Sequence, residues 1–358
     1  MTFLSSRRGR ISAALAGIAV SALALTACAG SSDSEPAADT DDAASEEMIT
    51  DITVQLSWIK NEEFAGEFFA DSKGYYTDAG FDSVTLVPGP STSAAELISG
   101  TADFGMSDAV SIGAVVASEG APLKIIGTTY QKNPFTILSL ADGGDIATVD
   151  DLAGKKIGVQ DSNMGLFNAF LSANGMSADD LEIVPVQYDP APLTNGEVDG
   201  FMAYLTNEAL IVGSEYETTN LPFADNGLPF VAETLVTTDD MIANNPATVK
   251  AFLKAEIQGW TDLVNDPAEG ARLAYEEYGS DLGLDPALSE EGSFAQVELM
   301  ITDETLENGL FTISDDLQAA TIESLAGAGI ELTAADLFDL SLLAEVYEEN
   351  PDLVDFQG

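Results

Sequence analysis

Aromatic, amide and carboxyl side chains recur where strands are predicted to end. Rings bind flat ligands by stacking, and amides and carboxylates hydrogen-bond to the edges of such ligands. Because ligands of open α/β sheets bind beyond the carboxyl ends of the strands, this pattern predicts a site for a flat heterocycle. The predicted ligand-binding residues are Trp58, Asn61, Phe64, Ser107, Asp108, Tyr130, Gln131, Ser162, Asn163, Tyr204, Asn207 and Glu208.

Two of these carboxyl groups, Asp108 and Glu208, form the best candidate pair for general acid–base catalysis. No nucleophile motif or phosphate-binding loop accompanies them. The chain contains no His and one Cys, which excludes the Ser-His-Asp triad, His metal sites and Cys metal clusters. We therefore expect no catalytic residue, no metal and no cofactor, although a hydrolase that uses carboxylates alone stays open as an alternative.

The chain is strongly acidic, with 61 Asp and Glu against 12 Lys and Arg in 358 residues. Such a surface repels DNA and RNA, whose binding needs Lys and Arg on the phosphates. After residue 10 the only arginine is Arg272, which we expect to pair with Glu269 or Glu276 on a helix surface. A neutral or weakly cationic ligand is therefore favoured. The acidity is consistent with a solvated surface or with a pocket that attracts cations. The net charge alone does not distinguish these two interpretations.

The N-terminus predicts export and a lipid anchor. Cationic residues 1–10 precede an apolar run at 11–27, which is short for a membrane span and typical of a secretory signal. Leu25-Thr26-Ala27-Cys28-Ala29 resembles the bacterial lipobox, so residues 1–27 are predicted to be the signal peptide and Cys28 the lipidated residue. A retained anchor helix is the alternative. Residues 28–50 are predicted to be a disordered acidic tether on the outer face of the cytoplasmic membrane.

Strand and helix patterns alternate through residues 52–202, which predicts βαβ units and mostly parallel sheets. The predicted strands lie at 52–58, 84–87, 104–106, 123–127, 156–159 and 183–186. From Asn245 the chain is predicted to be helical, with helices at 245–264, 286–300, 314–326 and 334–348. On the first of these, Trp260 falls on the apolar stripe and is predicted to be a core residue.

A short pattern occurs once in each half of the predicted α/β region. Gly100-Thr101-Ala102-Asp103-Phe104 is similar to Gly196-Glu197-Val198-Asp199-Gly200, and each copy sits where a helix turns into a strand. Gly-x-x-Asp turns are common, so coincidence is one interpretation. The other interpretation is two facing lobes of similar architecture.

Several segments carry a resemblance to a known family. The stretch 55–70 (QLSWIKNEEFAGEFFA) resembles the opening motif of solute-binding proteins for thiamine-pyrimidine precursors. Residues 73–76, 100–105, 152–159, 189–193 and 196–201, followed by Tyr204 and Asn207-Glu208, match the family's recurring segments in order. The resemblance spans about residues 51–280. It implies an α/β, type II periplasmic-binding-protein fold with two lobes, each a mostly parallel sheet flanked by helices, and a pocket at the lobe interface.

The same resemblance implies a binding protein that delivers its ligand to the permease and ATPase of an ABC importer. The wider family also includes riboflavin, sulfonate, taurine and nitrate binders, but the lone Arg272 argues against small oxyanions. Phe64 stands where the pyrimidine binders often have His, so the ligand is predicted only as a small heterocycle of the pyrimidine or riboflavin kind. A pyrimidine-forming enzyme and a surface sensor or adhesin are the competing interpretations, and related enzymes use His and Cys residues that this chain lacks.

The resemblance also sets the expected domains. Lobe 1 is predicted at 51–135 and 238–345, lobe 2 at 136–237, and a C-terminal tail at 346–358, with chain crossovers near 133–135 and 234–238. The protein is expected to be a monomer whose lobes close on the ligand, since a ligand stabilises the form that it prefers.

Overall fold

The computed structural model describes residues 48–357. The predicted signal peptide and Cys28 lie outside the described residues, as does most of the predicted tether. Within residues 48–357, no helix is both long enough and apolar enough to cross a membrane.

Strands and helices alternate through the first two thirds of the described chain, and helices follow. The strands are β1 (Asp51–Gln55), β2 (Ser83–Val87), β3 (Phe104–Asp108), β4 (Leu123–Tyr130), β5 (Phe135–Leu140), β6 (Lys156–Gln160), β7 (Glu182–Val186), β8 (Gly200–Tyr204), β9 (Thr218–Pro222) and β10 (Ala232–Thr238). The α-helices are α1 (Ala65–Ser72), α2 (Tyr75–Asp78), α3 (Ala94–Ser99), α4 (Ala109–Glu119), α5 (Met164–Ala173), α6 (Ala191–Thr194), α7 (Glu208–Gly213), α8 (Asp239–Asn244), α9 (Pro246–Asn265), α10 (Pro267–Arg272), α11 (Pro286–Met300), α12 (Asp303–Asn308), α13 (Asp315–Gly327), α14 (Ala334–Leu337) and α15 (Ser341–Glu349).

Short irregular helices complete the chain. The 3-10 helices are Glu62–Phe64, Val149–Leu152, Asp161–Asn163, Ala178–Asp180 and Pro351–Val354, and a π-helix covers Leu273–Tyr278.

Two five-stranded sheets share one topology. The first has the order β2-β1-β3-β10-β4 and the second the order β7-β6-β8-β5-β9. In each sheet one strand, β10 or β5, runs antiparallel to both of its neighbours, and the other pairings are parallel. Two mixed, mostly parallel sheets flanked by helices confirm the predicted fold class. We call the first sheet with its helices lobe 1 and the second sheet with its helices lobe 2.

The short repeated pattern has the same hydrogen bonds in both lobes. Asp103 accepts from the Thr53 backbone N–H at 2.8 Å, and Asp199 accepts from the Lys156 backbone N–H at 2.8 Å. Asp103 thus ties the start of β3 to the neighbouring strand β1, and Asp199 ties the start of β8 to the neighbouring strand β6. The preceding glycines, Gly100 and Gly196, have φ of 70° and 71°, a left-handed conformation that glycine adopts without strain. The lobes are therefore similar down to this turn.

Helix α9 crosses α1 at very short range, and this contact anchors the core of lobe 1. A Cβ atom on Gly66 would lie 2.2 Å from the Trp260 ring, and one on Gly259 would lie 2.2 Å from the Gly66 carbonyl oxygen. Both glycines are required for this close approach. Trp260 is fully buried, which confirms the prediction that it is a core residue.

Three sequence-based boundaries differ from the structure. Strand β10 belongs to the first sheet from Ala232 onward, so the second crossover precedes the predicted 234–238. The single helix predicted at 334–348 is wrong, because Phe338 leaves the helical path and bridges Ile125 of β4. Residues beyond 345 continue α15, and Phe356 is buried.

Candidate ligand-binding site

A cavity of about 540 Å³, counting the space that opens to solvent, lies where the carboxyl ends of strands from the two sheets meet. Its lining from lobe 1 comprises Ser57, Trp58, Glu63, Ser91, Thr92, Ser107, Asp108 and Glu233, and its lining from lobe 2 comprises Phe135, Gln160, Asn163, Met202, Ala203, Tyr204, Asn207 and Glu208.

Several residues predicted from the sequence line this cavity together. They are Trp58, Ser107, Asp108, Asn163, Tyr204, Asn207 and Glu208. The structure brings these side chains to one place from both sheets.

The other predicted site residues lie elsewhere. Phe64 and Tyr130 are fully buried core residues, and the Tyr130 hydroxyl donates to Gln296 at 2.8 Å. Asn61 is fully buried, and Gln131 donates to the Thr312 carbonyl at 3.0 Å. Ser162 is absent from the cavity's lining. The residues predicted from strand ends are therefore divided between the lining of the cavity and positions that face inward.

The position of Trp58 follows from its backbone. After β1 ends, the Trp58 carbonyl accepts from the Gly89 N–H at 2.7 Å, and the Ser57 carbonyl accepts from the Ser91 N–H at 2.9 Å. A Cβ atom at Gly89 would lie 2.3 Å from the Ser57 carbonyl oxygen, so a glycine is needed there. The Trp58 side chain is half-buried at the cavity wall, and its ring is available as a stacking surface.

The turn Glu62–Phe64 explains why neighbours in sequence face opposite ways. In this 3-10 helix, successive side chains are separated by about a third of a turn. Phe64 therefore packs in the core while Glu63 reaches the cavity. The sequence pattern alone does not decide which of the two faces the ligand.

Asp108 caps a helix. Its Oδ1 accepts from the Val110 and Ser111 N–H groups, both at 2.9 Å, and its Oδ2 accepts from the Ser111 hydroxyl at 2.6 Å. Burial raises the pKa of the Asp108 carboxyl, and these hydrogen bonds oppose the rise. The Asp108 carboxyl group thus caps the N-terminus of helix α4 while it lines the cavity.

A second acid of the cavity, Glu233, was not among the predicted site residues. It lies at a β-bulge of β10 and has a φ of +48°. For a residue other than glycine this conformation costs about 1–3 kcal/mol and is concentrated at functional sites. The bulge brings the carboxylate to the cavity, where it accepts from the Ser57 hydroxyl at 3.2 Å and the Tyr204 hydroxyl at 3.0 Å.

Glu63 and Glu233 form a carboxyl pair inside the cavity. Glu63 is 7% exposed and Glu233 is 1% exposed, and their side chains hydrogen-bond to each other. Burial raises the pKa of Glu233 to about 7. Burial raises the pKa of Glu63 well above its usual range, and the Glu233 charge adds to the rise. Two carboxyl groups in such contact share a proton rather than both ionising.

Two hydrogen bonds cross between the lobes at the cavity. The Tyr204 hydroxyl of lobe 2 donates to Glu233 of lobe 1, and the Asn207 amide donates to Glu62 at 3.5 Å. Glu208 also accepts from the Tyr204 N–H at 2.9 Å, and burial raises the pKa of Glu208 to about 7. The site residues themselves thus hold the two lobes together.

No cationic side chain lines this cavity in the described part of the chain. Arg272 pairs with Glu269, Glu276 and Glu277 at 2.7–2.9 Å, so the sequence-based expectation of a surface ion pair is confirmed. Residues 48–357 also contain no group of three or more His, Cys, Asp or Glu side chains arranged to hold a metal.

A groove of about 940 Å³, counting the space that opens to solvent, adjoins the cavity and shares Trp58, Asn207 and Glu208 with it. Its walls carry Tyr188 and Ile211 from lobe 2 and Leu282 from lobe 1, which are all exposed. The groove runs from the cavity to the protein surface.

Two similar lobes with a cavity between their sheets define a periplasmic-binding-protein-like fold. The periplasmic nitrate-binding protein NrtA from Synechocystis PCC 6803 has the same fold, with a TM-score of 0.61 and 15% identity over 86% of this chain and 91% of that chain. The chain belongs to the NMT1/THI5-like family, whose model matches residues 61–270. This confirms the family resemblance drawn from the sequence motifs.

Two curated relatives carry different functions. The riboflavin-binding protein RibY of Chloroflexus aurantiacus is 26% identical over 88% of this chain and 92% of its own length. A 4-amino-5-hydroxymethyl-2-methylpyrimidine phosphate synthase of Schizosaccharomyces pombe is 26% identical over 63% of this chain and 68% of its own length. Proteins similar to this chain thus include one named as a binding protein and one named as a synthase.

The sequence contains a weak indication of Glu233, which the site prediction did not include. Glu233 is a lone acid in the apolar run from Phe230 to Val236. A charged residue in a buried strand is costly unless it is paired or functional. This cost suggests that Glu233 has a functional role, although the sequence does not show that its side chain lines the cavity.

Proposed function

We propose that this protein is an exported solute-binding protein that captures a small aromatic heterocycle between its lobes and delivers it to an ABC importer. The observation that carries this proposal is the half-buried Trp58 ring on the wall of an interlobe cavity. Amide and carboxyl groups from both lobes surround that ring. Stacking and edge recognition together would bind a pyrimidine-like or riboflavin-like solute.

Closure of the lobes would couple ligand capture to delivery. The Tyr204–Glu233 and Asn207–Glu62 hydrogen bonds join the lobes beside the cavity. A ligand that contacts both lobes favours the closed form by its difference in affinity for the two forms. The importer would then recognise that closed form, with the protein held at the membrane through Cys28.

The acidic lining disfavours the alternative of a sulfonate, taurine or nitrate binder. Glu63, Asp108, Glu208 and Glu233 line the cavity, and anions of these kinds are commonly bound by Arg forks. A synthase remains the rival from another class because of the fungal relatives. Synthesis with His or Cys residues finds no support here, since the chain has no His and only Cys28.

A ligand panel tests this proposal directly. Calorimetry with riboflavin, 4-amino-5-hydroxymethyl-2-methylpyrimidine, taurine and nitrate would identify the class, and small-angle scattering would report lobe closure. We expect one of the heterocycles to bind and to make the particle more compact. Binding of nitrate or taurine alone would refute the heterocycle, and a new product in the incubated sample would indicate an enzyme.

A further inference from the structure

We propose that Glu63 and Glu233 form a subsite that selects a cationic ligand, one whose flat ring carries a protonated amidine-type edge. This inference rests on the proposed solute-binding function and names the charge of the solute. An amidinium presents two N–H groups on one planar carbon, and that geometry fits a pair of carboxyl oxygens. Neither the sequence motifs nor the relatives' names assign this pair a role.

The carboxyl group of Glu63 has no cationic partner among residues 48–357. In the described part of the chain its one hydrogen-bond partner is the Glu233 carboxyl group. Yet Glu63 is more than nine-tenths buried and lines the cavity. A buried carboxyl pair that keeps a negative charge is unfavourable without a cationic partner, so a cation is expected to enter from the cavity.

Glu233 is held facing the cavity by hydroxyl groups. Ser57 and Tyr204 both donate to it, and neither supplies a positive charge. The positive φ of Glu233 at the bulge of β10 is unusual for a residue with a side chain. The local backbone thus sustains a strained conformation that keeps this carboxylate beside Glu63.

The remaining acids of the cavity already have backbone partners. Asp108 accepts two N–H groups of helix α4, and Glu208 accepts the Tyr204 N–H. The Glu63–Glu233 pair is therefore the part of the lining with charge left to neutralise. One shared proton leaves the pair with a single negative charge, which a monocation would balance without any proton transfer.

Trp58 lies on the same cavity wall. A ring stacked on Trp58 could direct a cationic edge to the pair, and cations also interact favourably with aromatic faces. A neutral ring of the same shape would stack equally well but would leave the carboxylate charge unpaired. Selection between the two therefore depends on Glu63 and Glu233.

The test compares benzamidine, a planar cation, with benzamide, its neutral isostere. Both are titrated calorimetrically at about pH 8, where an amidine stays protonated and the pair keeps its negative charge. The variants are the double variants Glu63→Gln/Glu233→Gln and Glu63→Met/Glu233→Gln, which remove both carboxyl groups and so the charge of the pair. The control is Glu215→Gln, which removes an exposed charge of lobe 2 outside the cavity. We expect the unaltered protein to bind benzamidine about tenfold or more tightly than benzamide, as expected for a paired charge.

The variants should distinguish the effect of the Glu63–Glu233 pair from the effect of the protein's overall negative charge. In both double variants the negative charge of the pair is gone, so the preference for benzamidine should fall to about threefold or less, whereas Glu215→Gln should keep it. Thermal unfolding of each variant checks that it is folded. The glutamine at either position preserves the size of the side chain, and two separate variants guard against the failure of one to fold.

Equal binding of the two probes by the unaltered protein would overturn the proposal. Failure of benzamidine to bind, or a preference unchanged in both variants, would do the same. Failure of this proposal can be distinguished from failure of the proposed function. If riboflavin or the aminopyrimidine closes the lobes while benzamidine shows no advantage, the protein is a heterocycle binder and only the cation selection is wrong.

Discussion

Replacing Trp58 with Ala should weaken ligand binding much more than it weakens the fold. Trp58 is half-buried and lines the cavity, so a stacked ligand would cover part of a ring that water still reaches. If roughly 60 Å² of apolar ring becomes covered, burial contributes about 1.5 kcal/mol at ~25 cal/mol per Å². A favourable ring pair adds ~0.5–1.5 kcal/mol.

The sum, about 2–3 kcal/mol, corresponds to a loss of affinity between about thirtyfold and a hundredfold. Calorimetry with the best ligand of the panel measures this loss. The matched control is Phe64→Ala, because Phe64 follows Trp58 by six residues but is fully buried in the core. Phe64→Ala should lower the free energy of unfolding by about 3–5 kcal/mol.

Fluorescence offers a second measurement of the same point. The chain has two tryptophans, and Trp260 is fully buried between helices. Ligand should therefore change the emission of Trp58, so the signal should survive in Trp260→Phe and vanish in Trp58→Ala. If Trp58→Ala destabilises the protein as much as Phe64→Ala does and leaves the affinity unchanged, the stacking role of Trp58 is refuted.

Three further predictions concern closure, pH and the anchor. Tyr204→Phe removes the interlobe hydrogen bond to Glu233; scattering should show a less compact free protein, and affinity should fall about fivefold for a bond worth ~1 kcal/mol. Burial raises the pKa of Glu256 to about 7, so its contribution to stability is lost as pH rises from about 4.5 to about 7. Denaturant titrations should show less stability at about pH 8 than at about pH 5, a difference that Glu256→Gln should reduce. Cys28→Ala should release the protein from the membrane or leave an uncleaved precursor, and unchanged retention would contradict the lipid anchor.

The sequence was sufficient for features that depend on local periodicity. Helix α9 begins at the predicted Asn245-Pro246 start, and its apolar stripe places Trp260 in the core. The Gly100–Asp103 and Gly196–Asp199 segments also predict similar turns in both halves. In each case a few neighbouring residues specify the backbone, so short-range patterns carry the information.

The sequence was insufficient where the direction of a side chain depends on contacts with residues distant in the chain. Phe64 and Glu63 are adjacent, and only packing against the core decides that Phe64 turns inward. Strand β10 was not predicted, because an apolar segment joins a sheet only when its partners β3 and β4 are already arranged around it. Its bulge at Glu233 is set by the register of that pairing, which no local pattern records.

The position of Glu233 links recognition to the movement of the lobes. Strand β10 is the first strand of lobe 1 after the chain returns from lobe 2, and Glu233 is its second residue. Its carboxylate bonds Tyr204 of the other lobe and lines the cavity. A ligand that pairs with Glu233 therefore acts next to a chain crossover and on an interlobe hydrogen bond at once. A ligand that binds this arrangement more tightly than the open form stabilises the closed lobes by the same difference in binding free energy.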